Sequence, residues 1–151
     1  LVGRNGLTFR KREGDGHTPV GDFAIRSLLF RRDRRTRTQT GLTQFETDPG
    51  DAWCDEPGHR LYNRKVRLPF KASHEELWRK DTAYDWLAVL DYNLSPRAQG
   101  RGSAIFFHVA PAESSFTQGC VAVRASEMRK VLQALGPRCV MRVGFVFARR
   151  K

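Results

Sequence analysis

The sequence has few cysteines, a shortage of acidic residues and no long hydrophobic run. None of its three cysteines belongs to a CxxC pair or has a histidine at zinc-finger spacing, which argues against a structural metal site. No apolar stretch approaches the roughly 20 residues that a membrane span requires. The sequence therefore predicts no transmembrane segment, no bound metal and no cofactor.

Acidic residues number 16 against 27 lysines and arginines, which gives a formal net charge of +11. Such an excess points to anionic surroundings, such as nucleic acid, acidic lipid or an acidic polymer of the cell wall. The densest basic run is residues 31–37. It contains no aromatic residue and belongs to no recognisable nucleic-acid-binding module, so a solvated loop without a partner is an equal alternative. We expect no specific nucleic-acid partner.

The length of 151 residues predicts one domain over residues 1–151, and an apolar content of 40% is typical of a globular protein. No internal repeat interrupts it. The chain begins at Leu1 without a methionine, and no signal-peptide pattern follows. We therefore expect a trimmed or mature form.

Short apolar runs between turn-forming residues predict several β-strands. Because these runs are nearly continuous, some strands should be covered on both faces of a sheet. The four predicted strands are residues 22–30, 86–92, 103–110 and 139–147.

Two helices are predicted beside these strands. A Ser-x-x-Glu capping box at residues 73–76 predicts a short helix. Apolar residues at helical spacing predict a second helix over residues 126–135, which Gly136 and Pro137 end. Residues 31–71 are mostly loop by composition, and we predict that they form a lid or a substrate-facing insertion.

A histidine and a cysteine carry the strongest chemical signal. His108 ends an apolar strand, and Cys120 follows Gly119 before another apolar stretch. A thiolate is a good nucleophile and an imidazole can take its proton, which makes acyl transfer through a thioester feasible. Because Gly119 has no side chain, the backbone N–H groups of Gly119, Cys120 and Gln118 are candidate oxyanion donors.

Structural interpretations compete with this one. A lone buried cysteine is usually a core residue, and a lone histidine is usually hydrogen-bonded for structural reasons. Cys139 fits such a core position, and Cys54 and Cys139 either pair or remain thiols. Trp53 and Tyr62 fit either stacking on a glycan or peptide or buried anchoring. By spacing alone, the alternative bases are His17, His59 and His74.

Three segments together resemble the L,D-transpeptidase (YkuD-type) catalytic domain. Residues 11–23 resemble the family's T-P-x-G-x-F entry motif, and residues 73–93 resemble the middle of one subgroup. Residues 102–122 resemble its catalytic signature, a histidine followed by [ST]-x-G-C. The resemblance covers nearly the whole chain.

The resemblance implies a mostly β fold with short helices, arranged as a YkuD-like curved mixed β-sheet sandwich. It also implies a periplasmic or cell-wall-associated enzyme whose export signal is not present in this chain. Cys120 would attack the carbonyl of the third residue of a peptidoglycan stem peptide, with loss of the terminal D-alanine. The thioester would then pass to an amine of a neighbouring stem, giving a 3-3 cross-link. His108 would act as base and then acid, oriented by the backbone carbonyl of Val109.

Two positions depart from the pattern of many family members. Gln118 stands where they have histidine, and Ala122 stands where they have arginine or asparagine. Arg124 is therefore our candidate for a carboxylate clamp. The further substrate-binding candidates are Thr117, Tyr92 and Asn93. For Tyr92 and Asn93, the alternative is ordinary packing at a strand end and in a turn.

The residues at the nucleophile leave the acceptor open. Water would make the protein an L,D-carboxypeptidase, and a protein amine would make it an enzyme that attaches or releases wall-anchored proteins. Two alternatives without catalysis are a nucleic-acid-binding module and a wall-binding protein with a relic site.

Overall fold

The computed structural model describes residues 1–145 as short strands with one helix. In chain order these are β1 (Leu7–Thr8), β2 (Thr18–Pro19), β3 (Gly21–Arg31), β4 (Gln44–Thr47), β5 (Asp51–Cys54), β6 (Arg64–Arg67), β7 (His74–Glu76), β8 (Trp86–Leu90), β9 (Phe106–Val109), β10 (Val121–Val123), α1 (Ala125–Ala134) and β11 (Val140–Val143). No helix among the described residues has the length and apolarity needed to cross a bilayer.

The largest sheet has six strands and is mixed. Its order is β10-β9-β8-β3-β11, and β4 pairs with the second half of β3. The pairs β10–β9 and β3–β4 are parallel, and the other neighbours are antiparallel. A three-stranded antiparallel sheet, β6-β5-β7, and the parallel pair β1–β2 complete the fold. The predicted mostly β class is confirmed, and the layers are compatible with a YkuD-like sandwich.

The central strands are buried on both faces, as their continuous apolar runs predicted. All five residues of β8 are buried. Ala88 and Leu90 face a core shared with α1, whereas Leu87 and Val89 face a second core on the other side. Cys120 belongs to that second core. The sheet therefore holds the nucleophile candidate on the face opposite the helix.

The predicted C-terminal helix is confirmed to within a residue. α1 packs through Met128 and Leu132, which are fully buried. Val131 and Leu135 pack partly buried against the same core, as the apolar stripe predicted. Burial of each long apolar side chain contributes about 1.5–3 kcal/mol, which stabilises this face of the sheet.

The predicted helix at residues 73–76 is wrong. His74–Glu76 forms β7, which pairs antiparallel with β5 and places His74 opposite Cys54. A capping box favours a helix when apolar residues continue at helical spacing, but here only Leu77 and Trp78 follow before charged residues. Pairing with β5 bonds backbone groups that a single helical turn would leave unsatisfied.

The predicted loop over residues 31–71 is also wrong in part, because it contains β4, β5 and β6. All four residues of β5 are buried, and a run this short shows no alternation that would distinguish a strand. Trp53 of β5 packs edge-on against Phe106 of β9, with ring centroids 5.1 Å apart. Through Trp53, the strand β5 of this segment thus packs on the second core.

Three predicted strands are shorter than expected. The strand predicted over residues 86–92 is β8, which ends at Leu90. The strand predicted over residues 103–110 is β9, which begins only at Phe106, because Ala104 has a left-handed backbone with φ +51°. The strand predicted over residues 139–147 is β11, and its predicted residues 146 and 147 lie outside the described residues. All three cysteines are free thiols, so Cys54 and Cys139 do not pair.

Much of the basic run at residues 31–37 is committed to internal contacts. Arg31 is buried, forms two hydrogen bonds with Asp33 and stacks on Trp78 at 3.6 Å. Arg34 and Arg35 both pair with the buried carboxylate of Asp85. These arginines hold residues 79–85 in place. Three of the basic residues in the run are therefore not free to form a basic patch for a partner.

Candidate active site

Cys120 and His108 line the same cavity, which has a volume of about 360 Å³. Their relative position follows from the parallel pairing of β10 with β9, in which Ala122 lies opposite His108. Residues two apart on a strand share a face. Cys120 directly precedes β10 and packs in the same core as Phe106, whose side chain shares a face of β9 with His108, so Cys120 and His108 lie on the same side of the sheet.

The Cys120 thiol is held by backbone groups and is almost fully buried. It donates a hydrogen bond to the Ala104 carbonyl at 3.2 Å, and its sulfur accepts one from the Phe106 N–H at 3.3 Å. Within residues 1–145, no hydrogen bond joins the sulfur to the His108 ring. Burial, with a smaller contribution from the Glu75 charge, raises the pKa of Cys120 to about 12.

The His108 ring is fixed in one tautomer. Its Nδ1 lies 2.8 Å from the Val109 carbonyl, which can only accept, so Nδ1 carries the proton and Nε2 is the basic nitrogen. Tyr84 packs edge-on against the ring, with centroids 5.2 Å apart. Burial lowers the pKa of His108, and the positive charge of Arg79 lowers it further. The imidazole is therefore neutral at pH 7 and able to accept a proton.

The resting site is a neutral thiol beside a neutral imidazole. Because burial raises the pKa of Cys120 to about 12, the thiol is protonated at pH 7. A preformed thiolate–imidazolium pair is therefore not the resting state. The thiol must lose its proton as it attacks, so the S–H bond must turn from the Ala104 carbonyl toward His108, a rotation about Cβ–Sγ that leaves the sulfur in place.

We predict that Cys120 reacts slowly with iodoacetamide when no substrate is present. The rate, followed by peptide mass spectrometry, should rise about tenfold per pH unit from pH 7 to 11, because only the thiolate reacts and the pKa is raised. A free cysteine peptide, as the control, should level off near its pKa of about 8.5. A plateau of the Cys120 rate below pH 8 would contradict the neutral resting thiol.

The turn before Cys120 explains its glycine and threonine. Gly119 has φ +141°, and a Cβ there would lie 2.9 Å from the His17 carbonyl oxygen, so only glycine fits. The Thr117 hydroxyl accepts from the Gly119 N–H at 3.1 Å and donates to the Cys120 carbonyl at 2.7 Å. Thr18 donates to the same carbonyl at 3.2 Å. Both threonines thus fix the backbone of the nucleophile candidate.

In this turn, one of the three candidate oxyanion donors is already hydrogen-bonded and the other two are not. The Gly119 N–H is already bonded to Thr117. Among the residues that the structure describes, the N–H groups of Gln118 and Cys120 have no hydrogen-bond partner. Gln118 and Cys120 both line the cavity. These two groups remain our predicted oxyanion donors.

A charged wall of the cavity was missed by the sequence reasoning. It consists of Glu75, Arg79, Asp81 and Tyr84. The Tyr84 hydroxyl donates to Glu75, and Arg79 pairs with Asp81 at 2.6 Å. Burial raises the pKa of Glu75. The segment at residues 73–93 that resembles the family contained the signal, but the residue types alone assigned no role to it.

The structure does not bring three predicted substrate contacts to this cavity. The Tyr92 hydroxyl donates to the Arg101 carbonyl at 2.6 Å, and the Asn93 amide donates to the Ala98 and Gly102 carbonyls. Arg124 lines an adjoining cavity of about 750 Å³, which shares Ala110, Pro111 and Ala122 with the first.

The remaining candidates from the sequence lie elsewhere or are buried. Trp53 and Tyr62 are buried anchors and do not line the cavity. The alternative bases His17, His59 and His74 do not line it either. His59 lies beside Cys54, with Nδ1 3.7 Å from the sulfur. Within residues 1–145, no group of three or more metal-ligating side chains is placed to hold a metal ion.

Comparison with known proteins gives one family. The family model described as YkuD, L,D-transpeptidase catalytic domain, matches residues 1–143, a range that contains every residue of the cavity. No curated protein matches the chain. No solved structure matches it either.

Proposed function

Since the chain belongs to the L,D-transpeptidase (YkuD) catalytic domain family and is thus an enzyme of peptidoglycan chemistry, we propose that it is a cysteine-dependent transpeptidase. It forms a thioester between Cys120 and a tetrapeptide stem, releases D-alanine and passes the acyl group to an amine, which gives a 3-3 cross-link. One observation carries this proposal: the Cys120 thiol and the oriented imidazole of His108 share one face of one cavity.

Acylation begins with transfer of the thiol proton from Cys120 to Nε2 of His108. The sulfur attacks the carbonyl carbon of the third stem residue, and the N–H groups of Cys120 and Gln118 donate to the developing oxyanion. As the tetrahedral intermediate collapses, the His108 imidazolium gives its proton to the departing nitrogen of D-alanine. The products are free D-alanine and the thioester on Cys120.

The second half reaction repeats these roles with an incoming amine. His108, now neutral, accepts a proton from the amine as its nitrogen attacks the thioester carbonyl. The carbon–sulfur bond then breaks, and the Cys120 thiol regains a proton from His108. Water in place of the amine gives an L,D-carboxypeptidase, and a protein amine gives attachment of a wall-anchored protein.

The charge of the cavity supports a substrate that carries amines. Although the protein has a net charge of +11, the lining of this cavity includes four carboxylates, Glu13, Asp55, Glu75 and Asp81, against the cations Lys11 and Arg79. Lys11 is paired with Asp15, and Arg79 is paired with both Glu75 and Asp81. Within residues 1–145, this leaves Glu13 and Asp55 as lining carboxylates without an ion pair. Within the described part of the chain, Oδ1 of Asp55 is buried without a partner. An ammonium group of a diamino acid would satisfy this oxygen.

Arg124 is our proposed anchor for a stem-peptide carboxylate in the adjoining cavity. Its guanidinium forms no hydrogen bond or ion pair within residues 1–145, and the residue is exposed on the cavity wall. The two cavities share lining residues and therefore adjoin. Two stems can therefore bind side by side, one in each cavity. The enzyme would act in the periplasm or at the cell wall, where its substrate lies.

We predict that the purified protein converts muropeptides with tetrapeptide stems. Mass spectrometry should detect loss of D-alanine and cross-linked dimers, together with a carbapenem adduct on Cys120. Tripeptides without dimers would indicate the carboxypeptidase reaction, and dimers that contain an added wall protein would indicate the attachment reaction. Retention on sacculi without D-alanine loss or any adduct would contradict the catalytic proposal and favour the relic site.

A further inference from the structure

Asn63 lies behind the nucleophile candidate, and its side-chain amide is fully bonded. The residue is buried. Its Oδ1 accepts hydrogen bonds from Trp53 Nε1 at 2.9 Å and from the Ala104 N–H at 3.1 Å. Its Nδ2 donates to the Tyr92 and Asn93 carbonyls at 3.1 and 2.7 Å. Since both polar atoms are engaged twice, the amide cannot rotate without losing partners.

The backbone that Asn63 holds is in a conformation that alanine disfavours. Ala104 has φ +51°, in the left-handed region where glycine is at home. Its carbonyl accepts the Cys120 thiol at 3.2 Å, and the next N–H but one, that of Phe106, donates to the sulfur at 3.3 Å. If Ala104 relaxed to an extended conformation, its peptide groups would turn and both contacts to the sulfur would change.

A neighbouring side chain ties the same segment from the other side. The Tyr62 hydroxyl, fully buried, accepts from the Gly102 N–H at 3.0 Å and donates to Glu13. Glu13 in turn accepts from the Ser103 hydroxyl at 2.7 Å. Residues 102–104 are therefore pinned at successive positions by a pair of adjacent residues from the loop before β6.

We propose that Asn63 is a positioning residue for Cys120. It locks Ala104 in the left-handed conformation, so that the Ala104 carbonyl and the Phe106 N–H hold the sulfur at one place on the cavity wall, on the face it shares with His108. The hydrogen bonds above support the role of Asn63 in placing the Cys120 sulfur, whereas the effect of Asn63 on acyl transfer rests on the proposed function.

The test compares Asn63→Ala with a rescue at Ala104. Asn63→Ala should slow acylation of Cys120 by a stem peptide or a carbapenem about 10- to 100-fold, because the sulfur is no longer held in line with its target. Adding Ala104→Gly to this variant should restore most of the rate, since glycine populates the left-handed region without the tether. If Asn63 only filled space in the core, Ala104→Gly would not restore the rate, because glycine at position 104 does not fill the space that the lost Asn63 side chain leaves.

Alkylation with iodoacetamide gives a second readout that needs no substrate. At pH 8, Asn63→Ala should be alkylated at Cys120 faster than the wild type, because a released side chain reaches solvent more often. Faster alkylation together with slower acylation would show that the Cys120 sulfur is no longer held in its position. Leu132→Ala is the matched control: it opens a cavity in the other core and should change neither rate in the folded protein.

The outcomes separate this inference from the proposed function. If the wild type forms no acyl adduct at all, the proposed function fails, and the alkylation rates still decide the role of Asn63. If Asn63→Ala does not fold, Trp53→Phe removes one of the four bonds to the amide while keeping an aromatic ring against Phe106, and it should shift the alkylation rate in the same direction by a smaller factor. A folded variant of either kind that reacts at wild-type rates overturns the inference.

Discussion

Replacing Cys120 with alanine should abolish acyl-enzyme formation and D-alanine release, a loss of about 10⁴-fold or more. The reason is chemical, since Cys120 is the cysteine that lines the cavity with the oriented imidazole of His108. The fold should survive, because the change removes one sulfur atom whose hydrogen bonds are both to backbone groups. Intact-mass spectrometry of the protein after incubation with stem peptides or a carbapenem measures the adduct, and thermal unfolding measures the fold.

Cys120→Ser is the matched control for this prediction. A hydroxyl can keep the hydrogen bonds to the Ala104 carbonyl and the Phe106 N–H, but it is a far weaker nucleophile than a thiol. Serine should therefore preserve the resting geometry and still form no adduct. Full turnover by either variant would show that the nucleophile has been wrongly assigned.

His108→Asn should lower the acylation rate by about 10²- to 10⁴-fold, the usual cost of removing a general base. Asparagine retains an N–H that can bond the Val109 carbonyl, but it has no nitrogen to accept the thiol proton. The residual rate should rise with pH in proportion to the thiolate fraction. In the wild type, the acid limb of the rate should lie below the ordinary histidine pKa of about 6.5, because burial lowers the pKa of His108.

The same variant has a predicted signature in stability. Because the folded protein lowers the pKa of His108, the unfolded chain binds a proton there more readily. This contribution to stability is complete above the unfolded pKa of about 6.5 and is lost as the pH falls through the lower, folded pKa. Thermal unfolding at pH 7.5 and pH 5 should therefore show a larger drop for the wild type than for His108→Asn. An equal drop would argue against a buried, neutral His108.

The local patterns that proved reliable were those with a single physical cause. The α1 prediction succeeded because its apolar stripe faces one core and a Gly-Pro pair follows it. The central strands β8 and β9 were recognisable because a strand buried on both faces is mostly apolar. The His108–Cys120 pair emerged because the two residues are close in the sequence and belong to neighbouring strands.

The predictions that failed depended on partners far away in the chain. Nothing near His74 indicates that β5 will pair with it, so a capping box was taken for a helix start. The basic run looked free because its partners, among them Trp78 and Asp85, lie more than forty positions later. Asn93 was chosen for residue type, but its amide donates to the Ala98 and Gly102 carbonyls and does not line the cavity. Arg124 lines the adjoining cavity, where its role as a carboxylate anchor stays a prediction.

By itself, the sequence predicted the strands β8 and β9, the final helix and, through its motifs, the family with its mostly β fold, because periodicity and short motifs are local properties of the chain. The same motifs singled out His108 and Cys120, whose catalytic roles stay a prediction. The tertiary structure alone decided how that pair is held: the buried, protonated thiol, the charged wall of Glu75 and Arg79, and the left-handed Ala104 tethered by Asn63. Burial and hydrogen bonds between distant segments set the pKa and the direction of each group, and these exist only once the layers have packed together.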